Sequence, residues 1–441
     1  MTQTLRAALR AASLVLASAC ASHDASTDPA IASHVDAVKA IDDHSHAEGL
    51  ERATDKGYDQ LRCDELATTP STLPPAGLRF GPAQQTAMRT LYGIDFANDS
   101  ASVAKLQSTA ASTRKKNGDN HYTWVLEKAG IQTVLANRTA MAPELKAPLF
   151  RWVPYADALM YPLDNSALAA VNPDRKALFR MAEALEHSYL SDLGVAKIPA
   201  TLDGYVQSVL QATLRRQKAA GAVAVKFEMA YLRSLAIDVV NKTVAAPIYA
   251  HYAVSGTPSA ADYRALQDYL FKEIALEAGR LGMAVQFHTG AGCGESFDDN
   301  GASAMLLAPI LNDPELRATR FVLLHGNRPR EREIQTLITK PNVYADLSVL
   351  EYFLSTQELA QVLRPLLESM PEHVMFGTDA GPFGPGLDWE ETTVMGAQQF
   401  RKALALALSQ LVRDGVVTNA RAMQIADQVL HDNAAALYGV K

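Results

Sequence analysis

The chain has 441 residues, with 41 Lys plus Arg against 48 Asp plus Glu for a net charge of −7, 48% hydrophobic residues and 3 Cys. So small an acidic excess leaves no basic footprint for nucleic acid, and the apolar share is too high for a disordered chain. Three cysteines cannot build a disulfide framework or a zinc ribbon, so any metal site has to come from His, Asp, Glu or Lys.

The amino terminus reads as an export signal. Arg6 and Arg10 are the only charges before Asp24, and Ala11 to Ala19 is an apolar run too short to span a bilayer. Residues 1–19 are therefore expected to be a signal peptide. The run ends Ala17-Ser18-Ala19-Cys20, with small residues at −3 and −1 for a signal peptidase. Cys20 at +1 resembles a bacterial lipoprotein box, although Leu16 lies one place early. Cys20 is thus the candidate lipidation site, with ordinary secretion as the alternative. The product is expected in the bacterial periplasm or on a membrane as a lipoprotein. Residues 20–36 read as a flexible tether and 37–441 as a single domain. In an oxidising compartment Cys63 and Cys293 could pair.

Eight apolar runs rich in Val, Ile and Leu recur between longer helical patterns, as buried parallel strands do. In chain order they are Ala37 to Asp42, Ile131 to Leu135, Phe150 to Tyr155, Ala222 to Phe227, Met283 to Phe287, Arg320 to Leu324, Asn342 to Asp346 and Val374 to Gly377. Helices are expected at Ser259 to Leu281, Glu331 to Thr339, Gln357 to Ser369 and Glu390 to Gly415. Eight strands alternating with helices specify a (β/α)₈ TIM barrel. Residues 47 to 105, 163 to 220 and 236 to 258 exceed what the barrel needs; they are long insertions after strands one, three and four that would wall the pocket. The last segment, Asn419 to Gly439, is expected to pack on the barrel's outside.

The strand ends carry the chemistry. Strand one ends Asp42-Asp43-His44-Ser45-His46, and in an extended segment residues i and i+2 face the same way, so both imidazoles look to one side. Strand five ends at His288, strand six at His325 and strand eight at Asp379. Four barrel strands delivering four histidines and a carboxylate to one face make a cation site. Lys226, after the apolar run of strand four, would sit at the same height. Its amine could lose its proton on burial and take up carbon dioxide as a carbamate bridging two ions, or stay an ammonium that binds a carboxylate. Asp42 and Asp43 either orient the ligand histidines or begin the turn.

In these motifs and their order the chain resembles the amidohydrolase superfamily, and within it the amidohydrolase-related (type 2) family. The likeness runs from His44 and His46 through Lys226, His288 and His325 to Gly377-Thr378-Asp379 and Asn433-Ala434-Ala435-Ala436-Leu437-Tyr438. It implies that His44, His46 and Asp379 bind the more buried of one or two divalent ions. His288 would bind that ion or a second one. His325 would bind the second ion or act as an acid/base group, and Asp379 would shuttle a proton. Zinc is the default, with Mn, Fe and Co also compatible with the donors.

The resulting expectation is a metal-dependent hydrolase that uses a metal-activated water to cleave an amide or ester bond of a small, carboxylate-bearing substrate. The alternatives are a mononuclear non-oxidative decarboxylase of the same family and a non-catalytic envelope binding protein. Tyr231, Arg233, Asn327, Arg328, Glu351 and Trp389 are the candidate substrate contacts, the arginines as bidentate carboxylate forks. No transmembrane helix and no partner protein is indicated, and the sequence leaves the oligomeric state open.

Overall fold

The computed structural model of the chain describes residues 26–50, 55–58, 81–96, 99–384 and 386–440. The expected signal peptide, Cys20 and Cys63 lie outside the described residues. Eight strands are present: β1 Ala40–Ser45, β2 Ile131–Asn137, β3 Phe150–Val153, β4 Ala224–Phe227, β5 Ala284–His288, β6 Phe321–Leu324, β7 Val343–Asp346 and β8 Val374–Met375. They pair in parallel in the orders β1-β2-β3 and β4-β5-β6-β7-β8. Parallel bridges Trp152↔Ala222 and Tyr155↔Lys226 join the two sheets on one side. On the other, the bridge Ser45↔Ala380 and the bond from the Asp43 amide to the Phe376 carbonyl, 3.1 Å, close the ring. The result is a (β/α)₈ barrel.

Each strand is short because it must reach from one mouth of the barrel to the other and no further. One cluster of buried residues draws Ile41, Leu135, Val153, Ala224, Ala284, Val322, Leu324 and Met375 from seven of the strands and fills the barrel's interior. A larger cluster lies between strands and helices, where Phe227, Phe271, Phe287 and Phe321 stack at centroid distances of 5.1 to 6.1 Å. The main helices run Ala260–Arg280, Glu331–Leu337, Thr356–Ser369 and Trp389–Arg413. Ser259 and Ser355 cap the first and third of these, the latter in a full capping box with Glu358.

Two expectations need correction. Part of the expected tether is ordered: Pro29–Ala37 form a helix, and β1 begins three residues later than the apolar run suggested. Asp28 caps this helix ahead of Pro29, and Ile31 and Val35, four residues apart, are fully buried. Nor does the whole last segment lie outside the barrel. Asn419–Asp427 does pack outside, but Ala434, Leu437, Tyr438 and Val440 join the interior cluster and plug the barrel's amino-terminal mouth.

The insertions are helical walls. After β1 come Pro82–Tyr92 and Ser100–Asn117, and ahead of β4 lie Pro173–Asp192 and Gln211–Ala219, with Lys242–Tyr252 following β4. The first insertion is pinned to the opening turn of Trp389–Arg413. Arg114 grips Glu390 with Nε at 2.6 Å and Nη2 at 2.9 Å, His121 Nε2 lies 3.0 Å from the same carboxylate, and Tyr92 donates to Glu391. Burial alone would raise the Glu390 pKa, but the bonds from His121 and Arg114 outweigh it and hold the carboxyl at about 2.

Leu437 is 2% exposed in the plug. Leu437→Ala is expected to cost about 2–5 kcal/mol in urea-induced unfolding, the range for truncating a buried leucine. A loss below about 1 kcal/mol would mean that the plug packs too loosely to stabilise the barrel.

Candidate metal centre

The carboxyl-terminal ends of the strands assemble one cluster. His44 Nε2 and His46 Nε2 lie 2.9 and 3.0 Å from the same oxygen, Asp379 Oδ1. His325 Nδ1 lies 3.9 Å from the other oxygen, Oδ2. His44, His325 and Asp379 each offer a ligand atom within 4.8 Å of the others. The His288 and His325 rings lie 4.6 Å apart, and Lys226 Nζ sits 3.3 Å from His44 Nε2. The structure thus brings the five expected metal-binding residues and the lysine to one place.

Hydrogen-bond partners fix where the ring protons are. His44 Nδ1 is 2.7 Å from Asn137 Oδ1, an acceptor, so Nδ1 carries the proton and Nε2 keeps its lone pair. His288 Nε2 is 3.2 Å from the Ala291 carbonyl, which leaves Nδ1 as the lone pair. Ser348 Oγ donates to Asp346, so it accepts from His325 Nδ1 at 3.0 Å and leaves Nε2 as that ring's lone pair. Burial and the neighbouring Lys226 lower the His44 pKa to about 4 and the His288 pKa to about 3. Burial likewise lowers His325 well below its usual value. For Asp379 burial opposes ionisation, but His325 and His44 hold the carboxyl well below the usual range. At neutral pH His44, His288 and His325 are therefore neutral imidazoles beside the Asp379 carboxylate. A lone pair on His44 Nε2 at 2.9 Å from a carboxylate oxygen is repulsive unless a cation is shared between them. The donor set fits a divalent ion of the zinc type.

Backbone strain sits at the same mouth. His325 at φ 66°, Asn327 at 58°, Val349 at 68° and Asp379 at 51° are the non-glycine residues with positive φ among the described residues. All four lie just after β6, β7 or β8, and two are candidate ligands. Such conformations cost of order 1–3 kcal/mol each and persist only when their surroundings hold them. Asp379 is held by its amide on the His44 carbonyl, 2.7 Å, and by the preceding Thr378. Thr378 gives Asp42 both its amide, 2.9 Å, and its hydroxyl, 2.6 Å. Asp42 therefore ties β1 to the β8 turn and accepts from the His44 amide as well, at 3.3 Å. Asp43 points the other way, toward Asp346. A Cβ on Gly377 would lie 2.3 Å from Asp346 Oδ2 and 2.8 Å from Asp43 Oδ1, so only glycine leaves room for this pair. Burial raises both carboxyls; the charge of Asp346 raises Asp43 further, whereas the contact with Asp43 lowers Asp346.

The candidate substrate contacts divide. The Tyr231 ring lies 4.7 Å from His288, and the Arg328 guanidinium, with its side chain 29% exposed, lies 5.2 Å over the Phe353 ring and 3.6 Å from Glu331. These two stand at the mouth. Arg233 is committed to Asp268 at 2.8 Å, Gln267 at 3.0 Å and the Ala236 carbonyl. Asn327 is fully buried, accepting from Ala304 and donating to Glu333. Trp389 is buried and donates to Ser45 Oγ at 2.9 Å, bracing the residue between His44 and His46. Glu351 is buried, its carboxyl raised above the usual range by burial, and a Cβ on Gly396 would lie 2.9 Å from it. Sequence reasoning passed over Asn137, Gln286, Ser348 and Glu228. A signal was present: Gln286 is a polar residue inside an apolar strand, and Asn137 and Glu228 stand at strand ends as the recognised ligands do.

Cys293, in the loop after His288, is buried and disulfide-bonded. The expected pairing with Cys63 involves a residue outside the described ones.

A barrel whose strand ends gather His44, His46, His288, His325 and Asp379 is the mark of a metal-dependent enzyme. The chain belongs to the amidohydrolase family, whose model matches residues 182–440. It is 31% identical over 192 residues to protein fluG of Emericella nidulans, a match covering 42% of this chain and 21% of that protein. The chain thus spans about a fifth of the length of that curated relative. Among solved structures it is similar to a Lactobacillus casei protein described as a metal-dependent hydrolase, with TM-score 0.63, 20% identity and coverage of 94% of this chain and 98% of the other. It is also similar to uronate isomerase of Thermotoga maritima, with TM-score 0.60, 13% identity and coverage of 93% and 96%. Glucuronate isomerase of Caulobacter crescentus gives TM-score 0.62, 12% identity and 93% of both chains. At these identities the structural likenesses show the fold.

Because the histidines are neutral well below their usual pKa, protons compete with metal only in acid. Zinc affinity measured by chelator competition is expected to stay nearly flat from pH 8 to about 5.5 and to fall toward pH 4. A decline centred near 6.5, the value for unperturbed imidazole, would show that burial does not preset the ligands.

Proposed function

We infer that the chain is an exported metal-dependent hydrolase that cleaves an amide or ester bond of a small, carboxylate-bearing substrate. The convergence of two histidine lone pairs on one oxygen of Asp379 carries this reading. His44, His46, His288 and Asp379 would hold a divalent ion, zinc by default, with His325 completing the set. Such an ion, when bound, lowers the pKa of a coordinated water toward 7 and polarises the scissile carbonyl. Asp379, kept ionised by its histidine neighbours, takes the water's proton and passes it to the leaving group. His325 is kept a neutral imidazole by burial, and Ser348, accepting from Nδ1, leaves its Nε2 lone pair to contribute. Arg328 at the mouth, 29% exposed and 3.6 Å from Glu331, is the cation placed to receive the substrate carboxylate, since Arg233 is held more closely by three partners.

One observation favours a second reading. Glu228 Oε1 lies 3.6 Å from Lys226 Nζ, and an anion there supports the ammonium and opposes a carbamate. A single ion would follow, and with it a lyase or isomerase acting on a carboxylated substrate. Two of the similar solved structures are uronate isomerases.

Metal content per chain, measured by elemental analysis after purification without chelator and with bicarbonate, separates the two. The hydrolase reading with a bridging carbamate expects close to two ions in the wild type and one in Lys226→Ala. One ion in both leaves a mononuclear centre, and release of carbon dioxide from aromatic acids and interconversion of uronates must then be assayed beside amide and ester cleavage. Asp379→Ala and His288→Ala are expected to remove turnover by at least 10³-fold and most bound metal, while circular dichroism shows an intact fold. An active, metal-free double variant would end this reading.

Export is supported by the apolar run ahead of Cys20 and by the disulfide at Cys293, a bond that persists in oxidising compartments. Intact-mass analysis of the chain from bacterial membrane and periplasmic fractions should find it beginning at Cys20, with diacylglycerol and an acyl chain if lipidated. A chain retaining Met1 in the cytoplasm would refute export.

A further inference from the structure

The amide group of Asn137 decides which nitrogen of His44 is available to a metal, and something must decide which way that amide points. An Asn side chain can present either oxygen or nitrogen, and the wrong choice would put a donor against His44 Nδ1 and move the imidazole proton to Nε2. That tautomer cannot ligate through Nε2. The answer lies one layer deeper in the barrel. Gln286 Nε2 is 2.9 Å from the Asp43 backbone carbonyl, a group that can only accept. The Gln286 nitrogen must therefore face that carbonyl, and its oxygen must face away. Gln286 Oε1 is 3.2 Å from Asn137 Nδ2 and accepts from it. Asn137 is then obliged to present Oδ1 to His44 Nδ1, at 2.7 Å. The second proton on Gln286 Nε2 goes to the Tyr438 hydroxyl, 2.9 Å away, and that hydroxyl in turn donates to Asp43 Oδ2 at 3.1 Å. Asn137, Gln286 and the intervening bonds are fully buried, so water does not relax the choice.

We propose that Gln286 and Asn137 are positioning residues that set the tautomer of His44, with the Asp43 backbone carbonyl as the fixed point of this oriented chain. The chain is directional: one backbone carbonyl on β1 fixes Gln286, Gln286 fixes Asn137, and Asn137 fixes the ring. The inference rests on the reading of His44 as a metal ligand and deepens it. It also explains why two neutral amides occupy barrel positions where apolar residues would pack more cheaply. A half-satisfied polar pair inside a barrel would be destabilising, whereas here every amide proton and oxygen that orients the chain has a partner.

Two measurements test it. In metal-free protein carrying ¹⁵N-labelled histidine, two-bond ¹⁵N–¹H correlations, with His44 assigned through its loss in His44→Gln, should show the His44 proton on Nδ1. A proton on Nε2 in the wild type overturns the inference whatever the enzyme's reaction. Zinc affinity by chelator competition on the full chain should fall about 10–100-fold in Asn137→Leu and in Gln286→Leu, the usual effect of losing a group that orients a ligand histidine. Asn137→Asp, which still accepts from Nδ1 and as the buried acid donates its proton to Gln286 Oε1, should stay within about threefold of the wild type, a rescue that a purely packing role would not predict. Leucine variants that fold and bind zinc as tightly as the wild type would overturn it. If the leucine variants do not fold, Tyr438→Phe decides: Gln286 keeps the Asp43 carbonyl, so the Nδ1 tautomer must persist, and its loss would count against the carbonyl as the fixed point. A wild type that takes up no zinc while its His44 proton is on Nδ1 would instead refute the metal centre itself.

Discussion

The grip of the Asp42 carboxylate on Thr378 is the interaction on which the rest of the structure depends. β8 is two residues long and has little ladder of its own with which to meet β1. Closure of the barrel there relies on a buried side chain accepting an amide and a hydroxyl from the turn after β8, and on the Asp379 amide meeting the His44 carbonyl. The same few bonds bring Asp379 to His44 and His46. Barrel closure and assembly of the centre are therefore one event, and the left-handed backbone at Asp379 is tolerated because both of its neighbours are tied down. Removing the Asp42 clasp would open the seam and disperse the ligands together.

This coupling also explains how the centre can be electrostatically demanding without an exposed charge to relieve it. Three carboxyls, Asp42, Asp43 and Asp346, lie fully buried in the upper part of the barrel, and Asp379, its side chain 16% exposed, stands above them. Only Asp379 faces the histidines. Asp42 accepts from three donors, and burial still raises its carboxyl to about 7, while Asp43 and Asp346 face each other in a space that exists because residue 377 is glycine.

Much of this was legible in the sequence, for a physical reason. Parallel strands buried on both faces must be apolar until they reach the mouth, so the residue at which each run stops is conspicuous; His44, His288, His325 and Asp379 were found in that way. All eight strands and the four principal helices lie where periodicity placed them, within a few residues. The amides were missed because a neutral Asn or Gln announces no chemistry, and because the partners of Gln286 lie 152 and 243 residues away along the chain. Arg233 and Asn327 looked available for substrate for the opposite reason. Sequence shows a cation or an amide after a strand, but not that Asp268 or Ala304 has already claimed it. The ordered helix at Pro29–Ala37 was hidden by composition, since its small polar residues resemble a linker and only Ile31 and Val35 bury.

That helix carries a consequence for how the enzyme would stand on a membrane. The Asp28 amide donates to Ser409 Oγ at 2.9 Å, and Arg413 donates to the Ser26 carbonyl at 3.2 Å. The helix Trp389–Arg413 starts at the mouth that holds the metal ligands and ends at the plugged mouth, so the polypeptide enters the domain beside the closed end. Five residues separate Ser26 from Cys20, six Cα-to-Cα steps that reach about 20 Å at full extension. An acyl anchor at Cys20 would hold the plugged end toward the lipid surface and turn the open mouth outward, so that solutes reach the catalytic pocket from the aqueous compartment without crossing the headgroup layer.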